Sequence, residues 1–134
     1  MRTIWKFPEA PVLDSPRIDV SKIDKVVVAY RYDLDGGRIQ GQVALEYISV
    51  RAFRFTVDDY RTAEMFSCYN ALCDLGDTEW LSEMRETIKS VYTEEELASI
   101  RLMHTLLNTD DGPCIEVICS DVRVQEEPQR KTDL

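Results

Sequence analysis

The chain has little of the material from which active sites are usually built. It holds one histidine, His104, and five glycines among 134 residues. A Ser-His or Cys-His catalytic pair would have to use His104, which shares a predicted strand face with Leu102 and Leu106. The glycines form no phosphate loop, nucleophile elbow or dinucleotide fingerprint. We therefore interpret His104 as a core or edge residue, and we expect no catalytic residues and no cofactor.

Long apolar runs are also missing. The N-terminal residues mix apolar and charged side chains and soon reach Pro8, a pattern unlike a signal peptide. No segment approaches the ~20 apolar residues of a membrane span. We expect a cytoplasmic protein that makes no membrane contact.

The four cysteines show no metal-binding pattern. In a chain without an export signal, cysteines are usually present as reduced thiols. Cys68 and Cys73 are five residues apart, as are Cys114 and Cys119. At that spacing neither a helix nor a strand directs two side chains to one side. We therefore expect small buried thiols in the core and no metal.

Two pairs of adjacent carboxylates are the remaining candidates for metal or acid–base chemistry. Neighbours in sequence usually point apart, and Asp beside a turn commonly bonds to the local backbone. We interpret both pairs as turn residues: Asp58 with Asp59, and Asp110 with Asp111.

What the chain does have is an ordinary globular composition, 44% apolar and 31% charged, which predicts one domain over residues 1–134 with a real core. Residues 1–24 contain three prolines and several large apolar side chains. This segment is typical of an extended arm that lies on the domain or supplies an edge strand. Residues 125–134 have mixed charge and are predicted to be a frayed tail.

From Lys25 onward the residues alternate between two faces with a period of two, which predicts strands. Asp35, Gly36 and Gly37 form the turn of a hairpin, and a third strand over 50–57 completes a meander. In that third strand we expect Phe53 and Phe55 to face the core, with a solvated Arg54 on the opposite face. A second hairpin is predicted over 100–120, with a turn at 110–113 and a continuation near Val122 and Val124.

The period changes to about 3.6 between the two sets of strands. One helix is predicted from a Thr62 cap to Gly76, and a second from Thr78, with Trp80, Leu81, Met84 and Ile88 facing inward. Thr93 and Glu96 have the spacing of a capping box for a further short helix. The fold class is α+β: an antiparallel sheet of about five or six strands, an N-terminal meander plus a C-terminal hairpin, with two or three short helices packed on one side.

The net charge of −9 is placed unevenly. Residues 1–61 carry ten Lys or Arg against nine Asp or Glu, whereas residues 62–134 carry six against sixteen. Such a surface repels phosphate backbones, so we expect no nucleic-acid partner and favour a basic protein partner. The candidate partner-binding residues are Glu79, Glu83, Glu86, Trp80, Tyr92, Glu94 and Glu95.

These observations favour a non-enzymatic protein-binding domain. By analogy of class alone, it would be an acidic inhibitor or immunity-type protein that neutralises a basic partner. One alternative is a small-molecule-binding domain, or an enzyme, with a pocket between sheet and helices lined by Tyr30, Tyr32, Tyr69, His104 and the cysteines. Another is an oligomeric scaffold in which the apolar arm or an edge strand pairs with a second copy.

Overall fold

The structure is a computed structural model that describes residues 1–8, 12–22, 24–57, 65, 68–109 and 113–131. Neither of its two helices has the length and apolar character that crossing a membrane would require, within these described ranges. In chain order the elements are β1 (Arg2–Lys6), β2 (Val12–Leu13), β3 (Arg17–Lys22), β4 (Lys25–Leu34), β5 (Ile39–Ile48), β6 (Ala52–Thr56), β7 (Ala71–Asp74), α1 (Glu79–Lys89), α2 (Glu94–Ser99), β8 (Met103–Asn108), β9 (Cys114–Cys119), β10 (Asp121–Glu126) and β11 (Arg130–Lys131).

The strands form two antiparallel sheets, and the prediction of one sheet is wrong in this respect. Sheet A has the order β1-β7-β8-β9-β6. Sheet B has the order β10-β5-β4-β2, with β11 also paired to β5 and β3 to β4. The described part of the chain is mainly antiparallel sheet with two α-helices, which is roughly compatible with the predicted α+β class but richer in strands.

Sheet A lies between sheet B and the helices. Alternate residues of a strand point to opposite faces, and on β9 Ile115 and Val117 join a core cluster with Val28 and Leu45 of sheet B. Ile118 of the same strand instead packs with buried residues of α1. Both faces of sheet A are thus covered, which is why every residue of β8 and β9 is buried.

The first predicted hairpin is confirmed, but the meander is wrong. β4 and β5 pair along their whole length, around a turn in which Gly36 and Gly37 have φ of 62° and 88°. After β5 the chain bends at Ser49, where φ is 53°. β6 then leaves sheet B and pairs with β9 in sheet A.

The predicted orientation of β6 is also wrong. Phe53 and Phe55 are 37% and 49% exposed, whereas Arg54 points to the helix side of sheet A and contacts buried Glu116. The alternation itself was correct. Because β6 is an edge strand, its aromatic face lies beyond the cover that sheet B provides.

The first predicted helix is wrong where the structure can test it. Residues 71–74 form β7, which pairs with β1 on one side and β8 on the other. Ala71, Leu72 and Cys73 are all buried, and a strand buried on both faces lacks the polar alternation by which a strand is recognised. Residues 62–64, 66 and 67 of that predicted helix lie outside the described residues.

The prediction of four thiols is wrong for one pair. Cys68 and Cys73 form a disulfide. The chain turns between them at Asn70, where φ is 46°, so the pair belongs to neither the helix nor the regular strand on which the prediction rested. Cys114 and Cys119 are buried thiols, as predicted.

Both later helices are confirmed, with their caps. The Thr78 hydroxyl accepts a hydrogen bond from the Leu81 N–H at 3.2 Å, and Leu81 and Ile88 are the buried residues of α1. Thr93 and Glu96 form the predicted capping box of α2. A side-chain oxygen at this position satisfies N–H groups that have no partner within the helix.

The terminal segments are built into the sheets. β1 is an edge strand of sheet A, while β2 and β3 both pair with β4. The predicted second hairpin is confirmed as β8 and β9. β10 does not continue that hairpin but pairs with β5 of sheet B, and β11 pairs with Ile39 and Gln40, where the sequence suggested a frayed tail.

Candidate functional site

Four polar side chains form a continuous hydrogen-bonded chain from sheet A to the start of α1. Arg54 donates to Glu116 twice, through Nε to Oε2 at 3.0 Å and through Nη2 to Oε1 at 2.9 Å. Glu116 Oε1 also lies 2.9 Å from His104 Nε2. His104 Nδ1 lies 2.7 Å from the Thr78 hydroxyl. We call Arg54, Glu116, His104 and Thr78 the polar chain.

Strand pairing places these residues on one face of sheet A. Arg54 of β6 is directly opposite Glu116 of β9, and Glu116 is opposite Leu106, two residues from His104 on β8. Both separations keep the side chains on the same face. Thr78 reaches them because it caps α1, which packs on that face.

The partners of His104 fix its tautomer. A carboxylate can only accept, so His104 Nε2 carries the proton and donates to Glu116. In the neutral ring Nδ1 then accepts from the Thr78 hydroxyl. The same hydroxyl oxygen accepts the Leu81 N–H. The polar chain therefore connects the sheet to the helix cap through the only histidine in the sequence.

The electrostatics of Glu116 follow from burial and from its donors. Burial raises the pKa of this carboxyl, but hydrogen bonds from His104 and Arg54 outweigh that effect, and the pKa falls from 4.5 to about 2. The hydrogen bond to Glu116 in turn raises the pKa of Arg54. Glu116 is only 3% exposed, so it is a buried anion held by two donors.

Trp80 covers the polar chain. The Arg54 guanidinium carbon lies 4.1 Å from the centre of the Trp80 ring. The ring also meets His104 edge to face, with 5.0 Å between ring centres. A cation over an aromatic face is attracted by the ring quadrupole. Trp80, predicted as a partner anchor, is thus engaged within its own chain and half-buried.

An open cleft of about 480 Å³ lies over the polar chain. Met65, Leu75 and Leu106 give it apolar walls, and Glu79 and Glu83 stand at its rim as exposed side chains of α1. The other lining residues are Met1, Trp80 and the four members of the polar chain. Of the pocket lining proposed from the sequence, only His104 is present, since Tyr30 and Tyr32 lie in the core between the sheets.

The remaining predicted partner residues are spread along the helices. Glu86 is exposed and bridges to Lys89 at 2.6 Å. Tyr92 is half-buried and its hydroxyl accepts from Arg51 at 3.1 Å. Glu94 and Glu95 are exposed in the first turn of α2. Of the five carboxylates predicted to bind a partner, Glu79 and Glu83 line the cleft.

Comparison with known proteins gives no assignment: no protein-family model, curated protein or solved structure matches the chain. The geometry of the cleft and its charges are therefore the features that bear on function.

The chemistry available in the cleft is that of hydrogen bonding and charge. Across the described ranges, no three His, Cys, Asp or Glu side chains come together as metal ligands. Thr78, His104 and Glu116 do have the order of contacts in which a hydroxyl, an imidazole base and an orienting carboxylate cooperate. The two adjacent carboxylate pairs lie outside the described residues.

Three members of the polar chain were not predicted from the sequence to be site residues. Glu116 had a visible signal, because a charged residue in the apolar segment of β9 is rarely buried without a partner. Arg54 was noticed but assigned to solvent. Thr78 was recognised as a helix cap, and its contact with His104 depends on how α1 packs on sheet A.

Proposed function

We propose that this chain is a non-enzymatic protein-binding domain that neutralises a basic partner, in the manner of an immunity protein. The observation that carries the proposal is the position of Glu79 and Glu83. They lie one turn apart on α1, both exposed, at the rim of the cleft. Two carboxylates above apolar walls form a receptor for a cationic side chain.

The charges of the cleft support a cationic occupant. Arg54 and Glu116 are bound to each other and cancel. Among the described residues neither Glu79 nor Glu83 forms a salt bridge, and Glu83 interacts with the Arg54 guanidinium only at longer range, where it raises the pKa of Arg54. A lysine or arginine from a partner would lay its methylene stem against Leu75 and Leu106 and keep its head group at the carboxylates.

The acidic residues farther along the helices would act at longer range. Glu94 and Glu95 are exposed and carry no contact in the described structure that would hold them at the cleft. Charge of this kind raises association rates and selects against acidic partners more than it adds affinity. We therefore assign binding energy to the cleft and steering to α2.

The test is affinity capture from native cell extract at low and at high salt, with the bound proteins identified by mass spectrometry. The bait is compared with the double variant Glu79→Lys and Glu83→Lys. A matched control, Asp14→Lys with Asp19→Lys, makes the same change in net charge on two exposed residues, one in β3 of sheet B and one in the segment before it. We expect one basic partner, bound in a 1:1 complex that high salt weakens.

The two double variants separate site from net charge. Loss of the partner in the α1 variant, with retention in the control, would support the cleft. Equal loss in both would show only a general charge effect, and retention in both would refute the assignment of Glu79 and Glu83.

The polar chain favours a second candidate, a small-molecule-binding domain or an enzyme that uses the same cleft. The specific observation is that the Thr78 hydroxyl lies within hydrogen-bonding distance of His104, which Glu116 orients. A metabolite panel screened by thermal shift would test it. The expected result is a compound that raises Tm and moves the NMR signals of Trp80 and His104; a panel with no such compound would count against this candidate.

A further inference from the structure

β6 exposes an apolar stripe at the edge of sheet A. Phe53 and Phe55 are 37% and 49% exposed and share one face, because they alternate along the strand. Val57, which follows the last residue of β6, is 48% exposed. β6 pairs with β9 on one side, and in the described part of the chain no strand lies on its other side. An edge with unpaired backbone groups and exposed aromatics is a template for another strand.

We propose that β6 pairs with β6 of a second copy of this chain, antiparallel across a two-fold axis at Phe55. In this register Phe55 faces Phe55 of the second copy, and Phe53 faces Val57. The stripe is its own complement, since each large apolar side chain meets another. A two-fold contact requires this kind of self-complementary surface.

The position of Arg54 selects the register. Pairing centred on Arg54 would bring two arginines directly opposite each other, which is unfavourable for like charges across a sheet. With the axis at Phe55, each Arg54 is opposite Thr56 of the second copy, and its bonds to Glu116 are kept. Aromatic and β-branched cross-strand pairs then form on the other face.

The amount of surface predicts a weak association. The exposed parts of Phe53, Phe55 and Val57 amount to roughly 250 Å² per protomer, given full areas of 150–250 Å² for aromatic side chains. A standard interface buries about 800 Å² per partner. The dimer should therefore exchange with monomer at micromolar concentrations. It would join the two copies of sheet A into one sheet, with both clefts on the same side.

Sedimentation equilibrium over a range of concentrations tests the association. We expect wild type to shift from monomer to dimer and Phe55→Glu to remain monomeric. Val91→Glu is the matched control, because Val91 follows the C-terminal end of α1, is 73% exposed and receives the same substitution. It should dimerise like wild type. Wild-type protein that stays monomeric up to ~1 mM would overturn the proposal.

Cysteine cross-linking tests the register. At the two-fold axis, the Cα atoms of residue 55 would be about 5.5 Å apart, within the range that a disulfide spans. The Cα atoms of residue 57 would be ~14 Å apart, from a rise of about 3.4 Å per residue. Phe55→Cys should therefore form a disulfide-linked dimer under mild oxidation and Val57→Cys should not. Equal cross-linking by the two variants, or cross-linking by Val57→Cys alone, would refute the register.

Discussion

Replacing Glu116 by glutamine should show that the polar chain stabilises the fold. Glutamine keeps the shape of the side chain but removes its charge and turns one acceptor oxygen into a donor group. That group would face Arg54 or His104, both of which donate to Glu116 in the native protein. The substitution therefore converts a satisfied buried anion into a mismatch.

The size of the loss follows from the pKa of Glu116. Its fall from 4.5 to about 2 on folding corresponds to about 3 kcal/mol of stabilisation of the charged form, at about 1.4 kcal/mol per unit. Removing one member of a buried ion pair typically costs about 3–5 kcal/mol. Arg54 has a side chain that is 48% exposed and can be rehydrated, so we expect the lower figure of about 3 kcal/mol.

Urea unfolding followed by circular dichroism measures this loss at pH 7. Glu46→Gln is the matched control, because Glu46 bridges to Lys25 at 3.0 Å on the more solvated sheet B, where such a pair contributes less than about 1 kcal/mol. If Glu116→Gln unfolded within about 0.5 kcal/mol of wild type, the polar chain would not have the energetic role that we assign to it.

The same experiment has a pH dependence with a defined sign. The pKa of Glu116 is lower in the folded protein, so its contribution is complete above pH 4.5 and is lost as pH falls toward about 2. The gap in unfolding free energy between wild type and Glu116→Gln should therefore narrow across that window. A gap that stayed constant would contradict the proposed origin of the stabilisation.

Four further substitutions and reactions test other parts of the structure. Tyr47→Phe should leave stability unchanged or raise it by up to about 1 kcal/mol in urea unfolding, because the buried hydroxyl has no hydrogen-bond partner among the described residues. Gly41→Ala should lower Tm, since a Cβ there would overlap the buried ring of Tyr32, and overpacking costs about 1–3 kcal/mol. Burial, and secondarily the charge of Asp121, raises the pKa of Cys119 to about 12, so its modification by a disulfide reagent at pH 8 should be slow and should accelerate in denaturant. Thr78→Ala should cost about 1–2 kcal/mol through the lost cap of α1, and it should shift the NMR signals of the histidine ring.

The sequence predicted those elements whose start or turn is marked by residues within the element itself. Thr78 and Thr93 mark helix starts by side-chain capping, and Gly36 with Gly37 marks the hairpin turn. Each depends on contacts within a few residues. The sequence carries that information directly, which is why these elements were placed correctly.

Elements whose form depends on distant partners were not predicted. β7 is a strand because β1 and β8 lie on its two sides, while its buried run of residues has no period that separates strand from helix. The chain bends at Ser49 and β6 then joins the other sheet as an edge strand, which leaves its aromatic face exposed. The carboxylates at the cleft were predicted from composition. The polar chain beneath them depends on which residues of β6, β8 and β9 lie opposite each other. The alternation of side chains along a single strand does not give this register.

The pairing of β1 with β7 also sets an order of events during synthesis. Arg2 and Asp74, which pair at one end of these strands, are 72 residues apart. At a synthesis rate of roughly 5–20 residues per second, β1 leaves the ribosome several seconds before its partner exists. The hairpin of β4 and β5 can close during that interval. The nascent chain can therefore form the two central strands of sheet B before β7, the partner of β1 in sheet A, has been synthesised.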